Sequence, residues 1–230
     1  MSSSLNAVPA GGPFVVAHRA GNDLRSLRRA ESARVAVVEA DLHWFAGRVE
    51  VRHLKTVGPI PLLWDKWTLA SPRIPRLLLD ELLRSAAPST TLMLDLKGRD
   101  HRLPAAVAAA LRDQPRESTV CCSRNWALFD EMHDLDGVRL IHSVGNARQF
   151  YALRRRTARR PVDGVSVHKK LLSPTRVADL RRRAGLVMTW PVQTLADVRR
   201  LVSWGVDGLI IEHHEVLAPM LRRTATREAC

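Results

Sequence analysis

The stretch Val35-Ala-Val-Val-Glu-Ala-Asp41 is a short apolar run that ends in two acids, two positions apart. A second stretch, Leu92-Met-Leu-Asp-Leu-Lys97, has the same form and ends in an acid and a lysine. Alternate residues of a β-strand point to the same face. Both stretches are therefore predicted to be buried strands, each placing two charged side chains side by side where its apolar sequence ends.

Short apolar runs of this kind alternate with amphipathic segments along the chain. The runs are continuous and rich in β-branched residues, which is typical of parallel strands buried on both faces. The predicted strands are 14–18, 35–41, 91–96, 118–122, 138–142, 163–167, 186–190 and 207–211. The predicted helices are 22–33, 76–86, 104–113, 125–134, 146–157, 174–183, 194–203 and 214–223. This alternation predicts an α/β fold, a (β/α)8 TIM barrel, with a doubly wound open sheet as the alternative.

Residues 42–75, between the second and third predicted strands, are too many for one loop and one helix. They contain Arg48-Val-Glu-Val-Arg-His53 and then a segment with several prolines and tryptophans. We predict a small insertion that lies over the mouth of the barrel. Because the sequence has no interdomain linker, repeat or low-complexity tract, we predict that residues 1–230 form a single domain, with 1–12 as a loose N-terminus.

The composition indicates a globular protein: the chain has 230 residues, and 46% of them are hydrophobic. The apolar runs are too short for a transmembrane segment. No Lys or Arg precedes the first apolar run, as one would in a secretory signal. Two of the three cysteines are adjacent, at Cys121 and Cys122, which argues against a disulfide framework. We therefore expect a cytoplasmic protein.

The net charge is +13, and only five of the 36 basic residues are lysine. A basic surface is typical of proteins that bind nucleic acid or anionic membranes. Here the arginines are scattered over several segments and are not interleaved with aromatic residues. We interpret them as solvated helix faces and expect no nucleic-acid partner. The sequence leaves the oligomeric state open.

Acids at two predicted strand ends suggest a metal site, because the active site of a (β/α)8 barrel lies at the carboxyl ends of its strands. Glu39, Asp41 and Asp95 offer the carboxylate oxygens that Mg²⁺ and Ca²⁺ prefer. The alternative is that these acids form salt bridges with Arg19 and Lys97 and bind no metal. Since two acids on one strand end repel each other without a cation, we predict one divalent cation, Mg²⁺ or Ca²⁺.

Two histidines near these acids are candidates for acid–base catalysis, because histidine titrates near neutral pH. His18 follows the first predicted strand, and His53 lies in the segment that leads away from the second. Arg19 and Lys97 are predicted to contact the non-bridging oxygens of a phosphate group, Arg through a planar fork and Lys as a compact charge. This set of side chains is suited to phosphate-ester chemistry.

Other residues at strand ends carry weaker predictions. Trp190, His142 and His168 end three of the later strands, and we predict that they form a wall beside the substrate. His43 and the remaining histidines are interpreted as surface or helix residues. Cys121 and Cys122 fall within a strand and are interpreted as packing residues.

The motifs resemble those of the glycerophosphodiester phosphodiesterase family of metal-dependent (β/α)8 enzymes. The family's His-Arg-Gly signature at the end of its first strand is matched by Val15-Val-Ala-His-Arg-Ala20. Its Glu-x-Asp signature, followed by a hairpin and a histidine, is matched by Glu39, Asp41 and His53.

The resemblance continues through the rest of the chain. The family's Glu-x-Lys strand end is matched, with one change, by Asp95-Leu-Lys97. Its C-terminal signatures are matched by Thr189-Trp-Pro-Val192 and by Gly205-Val-Asp-Gly-Leu-Ile-Ile211. The matched motifs appear in the family's order between residues 14 and 217.

The chain departs from the family pattern at three places. Ala20 replaces the glycine of His-Arg-Gly, Asp95 replaces the glutamate of Glu-x-Lys, and a Glu-Asn-Thr stretch is missing from the short segment 21–33. A short first segment and an Asp-x-Lys pair are also features of the related sphingomyelinase D-like phospholipases. Those enzymes share the fold and metal site but act on choline lipids.

The resemblance implies a phosphoric diester hydrolase that releases glycerol 3-phosphate and an alcohol from a small-molecule substrate. It implies that the three acids hold the metal and that one of His18 and His53 activates the attacking oxygen while the other protonates the leaving alcohol. One alternative is a phospholipase D-like enzyme that converts lysophospholipids to a cyclic phosphate. Another is a barrel without activity that binds an anionic ligand or nucleic acid.

Overall fold

The computed structural model describes residues 13–57, 60–65, 68–70 and 76–212. Its strands, in chain order, are β1 (Phe14–Ala17), β2 (Val37–Phe45), β3 (Arg48–Val51), β4 (Lys55–Val57), β5 (Ile60–Asp65), β6 (Thr68–Ala70), β7 (Leu77–Leu78), β8 (Thr91–Leu96), β9 (Thr119–Ser123), β10 (Val138–Val144), β11 (Gly164–His168), β12 (Val187–Val192) and β13 (Gly208–Ile211). Its helices are α1 (Leu24–Ser32), α2 (Leu79–Ser85), α3 (Arg102–Asp113), α4 (Ala147–Thr157), α5 (Pro174–Arg181) and α6 (Leu195–Ser203). Single 3₁₀ turns span Ala20–Asn22, Trp126–Phe129 and Lys169–Leu171.

Eight parallel strands close into a barrel, which confirms the predicted fold and excludes the open sheet. The order around the barrel is β1, β2, β8, β9, β10, β11, β12 and β13. Closure depends on β1, which pairs in parallel with β13 on one side and with β2 on the other. All the strand ends that were predicted to carry functional side chains therefore point to the same mouth.

The barrel interior is filled by alternate residues of the strands. These buried residues form one apolar cluster: Phe14, Val16, Val37, Met93, Val120, Cys122, Ile141, Met188 and Ile210. Gly208 is required in this layer, because a Cβ there would lie 2.7 Å from Cγ of Met188 and 2.8 Å from Cζ of Phe14. The intervening residues, such as Ala40 and Leu94, point outward and pack against the helices. Membership of the interior cluster therefore shows which alternate positions of each strand face the barrel axis and, further along the strand, the mouth.

The insertion between the second and third barrel strands is confirmed. The end of β2 forms an antiparallel hairpin with β3, which pairs in turn with β7. Strands β4, β5 and β6 form a separate antiparallel sheet. Residues 58–59, 66–67 and 71–75 lie outside the described residues, so the position of the whole insertion over the mouth stays a prediction.

One predicted helix is wrong: only Trp126–Phe129 of the segment 125–134 is helical, and it is a 3₁₀ turn. The turns after it are also closed by bonds between residues three apart, as from Met132 N to Phe129 O at 2.9 Å. Acids near a helix C-terminus are unfavourable, and the second half of the segment contains Asp130, Glu131 and Asp134. The predicted helix 214–223 and the loose N-terminus 1–12 lie outside the described residues.

Candidate active site

Strand β2 directs three functional side chains into the mouth. Val37 belongs to the interior cluster, and Glu39, Asp41 and His43 follow it at steps of two, so all four share one face. Glu39 is 3% exposed and Asp41 is 1% exposed. In the neighbouring strand β8, Asp95 lies directly beside Asp41 in the register. The barrel thus brings acids from two strands into one buried group.

The acidic cluster consists of Glu39, Asp41 and Asp95, and one carboxylate oxygen from each lies within 4.8 Å of the others. Nζ of Lys97 is 2.7 Å from Oδ1 of Asp41, and it also contacts Oδ2 of Asp95. The predicted proximity of these four side chains is therefore present. The salt bridges of the alternative interpretation, in which no metal binds, are also present. The charge balance of the cluster is therefore needed to distinguish a metal site from a set of salt bridges.

Asp41 is held in place by several polar neighbours. Its Oδ2 accepts a hydrogen bond from Nδ2 of Asn22 at 2.9 Å, and its backbone N–H donates to Oδ1 of the same asparagine at 2.8 Å. Nδ1 of His53 lies 3.3 Å from Oδ2. Burial would raise the pKa of Asp41, but the contacts with His53 and Lys97 outweigh it and hold that pKa well below its usual range. Asp41 is therefore ionised at neutral pH.

Glu39 and Asp95 are less well compensated. Burial and repulsion by Asp41 raise the pKa of Glu39 well above its usual value. Burial also raises the pKa of Asp95, although Lys97 opposes that shift. The three acids share a site in which Lys97 supplies the contacting ammonium group. Their carboxylate oxygens are the kind of ligand that a hard divalent cation prefers. The donor set and its excess of negative charge fit such a cation.

Arg19 closes the cluster from the loop after β1. Its backbone N–H donates to Oε2 of Glu39 at 2.6 Å, and its Nε lies 3.8 Å from Oδ2 of Asp41. Its φ of 58° lies in the left-handed region, which is uncommon for a residue other than glycine. This backbone conformation turns the N–H toward the acid, and the side chain remains 41% exposed at the mouth.

Two of the predicted histidines stand beside the cluster. Nδ1 of His18 lies 3.7 Å from Oε1 of Glu212. Burial, assisted by the Arg19 cation, lowers the pKa of His18 to about 4, so its ring is neutral at pH 7. His53 is oriented by its contact with Asp41. The structure therefore places both histidines at the mouth, in the lining of the same pocket as the acids.

His43 was wrongly interpreted as a surface or helix residue. It is on β2, lines the pocket, and has a buried Nε2. Burial and the nearby Arg52 cation lower the pKa of His43 to about 3. Its signal in the sequence was the continued alternation after Asp41, which was missed because the strand was predicted to end there.

The pocket at the mouth has a volume of about 980 Å³. The predicted residues that line it are His18, Arg19, Glu39, Asp41, His53, Asp95, Lys97 and Trp190. Six further residues line the pocket without a predicted role: Arg99, Arg124, Ser143, Gln149, Ser166 and Glu212. Arg124 and Glu212 follow predicted strands and so were expected at the mouth, but no motif in the sequence indicates a role for them.

The predicted wall residues have different positions. Trp190 lines the pocket. His168 packs edge-on against Trp190, with 4.9 Å between the ring centroids, and supports it from the rim. His142 follows Ile141 of the interior cluster and so points out of the barrel, where its ring lies 5.3 Å from Trp126 and 5.2 Å from Phe129. The wall prediction for His142 is therefore corrected: this side chain packs between barrel and helix layer.

The buried position of His142 predicts a pH effect on stability. Burial, assisted by the Arg156 cation, lowers the pKa of His142 to about 4 from an ordinary value of 6.5. The stability that the neutral ring contributes is complete above pH 6.5 and is lost as the pH falls from 6.5 toward 4, because only the unfolded chain is protonated in that window. His142→Phe keeps an aromatic ring and removes this loss, so its free energy of unfolding should gain up to about 3 kcal/mol on the parent between pH 7 and pH 4. Urea denaturation measures this difference, and His101→Gln on the exposed surface is the control. Parallel pH profiles of parent and His142→Phe would contradict the prediction.

The helices in the described part of the chain lack the combination of length and hydrophobicity that a membrane-spanning segment needs. No protein-family model matches the sequence, and no curated protein matches it. The comparison with solved structures, in contrast, gives matches over nearly the whole chain.

A glycerophosphodiester phosphodiesterase from Parabacteroides distasonis is 19% identical, with a TM-score of 0.72 over 94% of this chain and 100% of that one. One from Thermotoga maritima is 14% identical, with a TM-score of 0.73 over 92% and 99% of the two chains. A phosphodiesterase from Oleispira antarctica, solved with the product sn-glycerol-3-phosphate, is 16% identical, with a TM-score of 0.70 over 87% and 93%. The chain has the fold of the glycerophosphodiester phosphodiesterases.

Proposed function

We propose that the protein is a metal-dependent phosphodiester hydrolase that releases glycerol 3-phosphate and an alcohol from glycerophosphodiesters. The observation that carries this proposal is the acidic cluster of Glu39, Asp41 and Asp95, with ligand atoms within 4.8 Å of one another. The cluster lies at the mouth of a barrel whose fold is that of glycerophosphodiester phosphodiesterases. The complex of the Oleispira antarctica protein with sn-glycerol-3-phosphate supports this substrate class.

Glu39, Asp41 and Asp95 would hold one divalent cation, Mg²⁺ or Ca²⁺, which would supply positive charge for the phosphate oxygens. Arg19 and Lys97 lie at the same mouth and would bind non-bridging oxygens of the phosphodiester. Cations fixed in position before the reaction stabilise the charge that develops on those oxygens in the transition state.

His18 and His53 would carry the proton transfers. The neutral ring of His18 can accept a proton from the attacking oxygen, either water or a neighbouring hydroxyl of the substrate. His53, oriented by Asp41, would donate a proton to the departing alkoxide. Both steps use rings that already lie beside the acidic cluster.

We also propose that the enzyme works in the cytoplasm. The support is that Cys121 and Cys122 are free and buried in strand β9. Free thiols are typical of proteins in a reducing compartment.

We expect the purified protein to lose turnover when it is treated with EDTA and to regain it with Mg²⁺ or Ca²⁺, because three acids without a cation repel the anionic substrate. The assay measures glycerol 3-phosphate released from a panel of glycerophosphodiesters with choline, inositol and phosphorylated inositol as the alcohol. Turnover that survives exhaustive EDTA treatment would contradict the metal assignment.

The same assay separates the alternatives. Preferential turnover of lysophosphatidylcholine, with a cyclic phosphate visible by phosphorus NMR, would favour the phospholipase D-like reaction. A metal-loaded protein that turns over neither class but binds DNA with a steep salt dependence would favour a binding protein.

A further inference from the structure

The two sides of the pocket differ in charge. Its carboxylates lie on one side, which is formed by the adjacent strands β13, β1, β2 and β8; they are Glu39, Asp41, Asp95 and Glu212. The other side is formed by the ends of β9, β10 and β11 and the start of α4. Among the described residues of this far side, the lining contains Arg124, Gln149, Ser143 and Ser166 and no carboxylate. We call these four residues the arginine side.

The guanidinium of Arg124 lies exposed at the pocket, between Gly145 and Gln149. A Cβ at residue 145 would lie 2.5 Å from its Nη2 and 2.7 Å from its Cζ, so the group occupies space that only Gly145 leaves open. Its Nη2 donates to Oε1 of Gln149 at 3.4 Å, and Nε2 of Gln149 donates to the backbone oxygen of Arg124 at 3.3 Å. The backbone N–H of Gly145 donates to the same Oε1 at 2.8 Å. None of the carboxylates in the described chain pairs with Arg124.

Two hydroxyl groups lie on the same side. Ser143 on β10 and Ser166 on β11 are directly opposite each other in the register, and both line the pocket. Ser166 is 1% exposed, and its Oγ has no hydrogen-bond partner in the described part of the protein. A buried hydroxyl without a partner is costly unless a ligand or water satisfies it. This is a second observation, independent of Arg124, that points to a polar ligand here.

We infer that the arginine side binds the alcohol moiety of the substrate and selects one that carries a second anionic group, a phosphate or a carboxylate. Guanidinium groups bind such anions through charge-assisted hydrogen bonds. Arg99, which follows β8 and also lines the pocket, adds a second positive charge to the lining. The arginines would repel a quaternary ammonium group. Such cations are usually bound by several aromatic faces, and among the described residues the lining offers Trp190 for this purpose. The inference rests on the proposed function, because it names the substrate class of the same site.

Glycerophosphoinositol and glycerophosphoinositol 4-phosphate test this inference, because they differ only in the second anionic group. We expect the metal-loaded parent protein to show a kcat/KM about 10- to 100-fold higher for the phosphorylated substrate, the range given by one or two charged hydrogen bonds. Glycerophosphocholine should be the poorest of the three. Arg124→Gln should remove most of the preference, mainly by raising KM for the phosphorylated substrate.

Gly145→Ala provides a sharper variant, because it keeps every charge and displaces only the guanidinium. It should lower kcat/KM for the phosphorylated substrate in the same direction as Arg124→Gln. Arg148→Gln is the matched control, because it removes an exposed arginine of helix α4 that does not line the pocket. It should leave kcat/KM unchanged for both substrates. Equal turnover of the two inositol substrates by the parent, or equal losses on both in the Arg124 and Gly145 variants, would overturn the inference.

Binding of the same two substrates, measured by calorimetry, separates this inference from the proposed function. If no diester is turned over but the phosphorylated one binds more tightly in an Arg124-dependent way, the proposed function fails and the arginine side stands. If both diesters are turned over and bind with equal affinity, the proposed function stands and the arginine side is wrong.

Discussion

Glu39→Gln will abolish turnover and at the same time make the metal-free protein more stable. Glu39 is buried beside Asp41, and burial and that repulsion raise its pKa well above 4.5. At pH 7 the folded metal-free protein therefore carries an unfavourable buried charge or retains a proton that the unfolded chain releases. Glutamine has the same shape, and its Oε1 can still accept the hydrogen bond from the backbone N–H of Arg19. We expect activity to fall by about 10³-fold or more, because the loss of a ligand removes several kcal/mol of charge stabilisation.

The gain in stability should be about 1–2 kcal/mol at pH 7 and should vanish below about pH 4.5. The sign follows from linkage: a carboxyl whose pKa is raised by folding costs stability at a pH above its unfolded pKa, and costs nothing when both states are protonated. Urea denaturation of the EDTA-treated protein at pH 7 and pH 4 measures it. Added Mg²⁺ or Ca²⁺ should raise the Tm of the parent and leave that of Glu39→Gln unchanged.

Asp41→Asn is the matched comparison, because it removes a charge from the same strand with the opposite effect on the metal-free fold. Contacts with His53 and Lys97 hold the pKa of Asp41 well below its usual range despite its burial. Its ionised form thus stabilises the folded state at any pH above the pKa of the unfolded chain. Removal of this charge should lower the free energy of unfolding by about 2–4 kcal/mol at pH 7. Both variants should be inactive and insensitive to metal. If both destabilise the metal-free protein equally, the charge assignment within the cluster is wrong.

The acidic cluster could be predicted because strand periodicity is a local property. An apolar run followed by acids at steps of two specifies a face, and the barrel then brings the ends of β2 and β8 together. The same rule failed where a strand's length was misjudged. Strand β2 continues to Phe45, so His43 faces the pocket, and β10 continues to Val144, so His142 is an outward residue within a strand.

Other parts of the site have no local signal. Asn22 contacts Asp41 from a 3₁₀ turn 19 residues away in the chain, and no periodicity specifies such a contact. Arg124 acquires its position from the space above Gly145, which belongs to the next strand and loop. Contacts between loops depend on tertiary packing, so a single sequence shows which side chains are available but not which of them meet.

Replacement of His18 and of His53 will separate their roles when the leaving group is varied. An alkoxide needs a proton to depart, whereas p-nitrophenolate departs without one. If His53 is the proton donor, His53→Asn should lower kcat by roughly 10²–10⁴-fold on a glycerophosphodiester of an alkyl alcohol. The loss should be no more than about tenfold on the p-nitrophenyl diester of glycerol 3-phosphate.

His18→Asn should give a different pattern, because the acceptor of the attacking proton is needed whatever group departs. Its pKa of about 4 keeps the ring neutral and able to accept at pH 7, and we expect losses of roughly 10²–10⁴-fold on both substrates. Steady-state kinetics on metal-loaded protein checks both variants, with His101→Asn, outside the pocket lining, as the control. The two roles would be exchanged if the p-nitrophenyl substrate restored the activity of His18→Asn but not that of His53→Asn. Since both rings line the same pocket as the acidic cluster, this exchange would reverse the assignment of base and acid while leaving the metal site as it is.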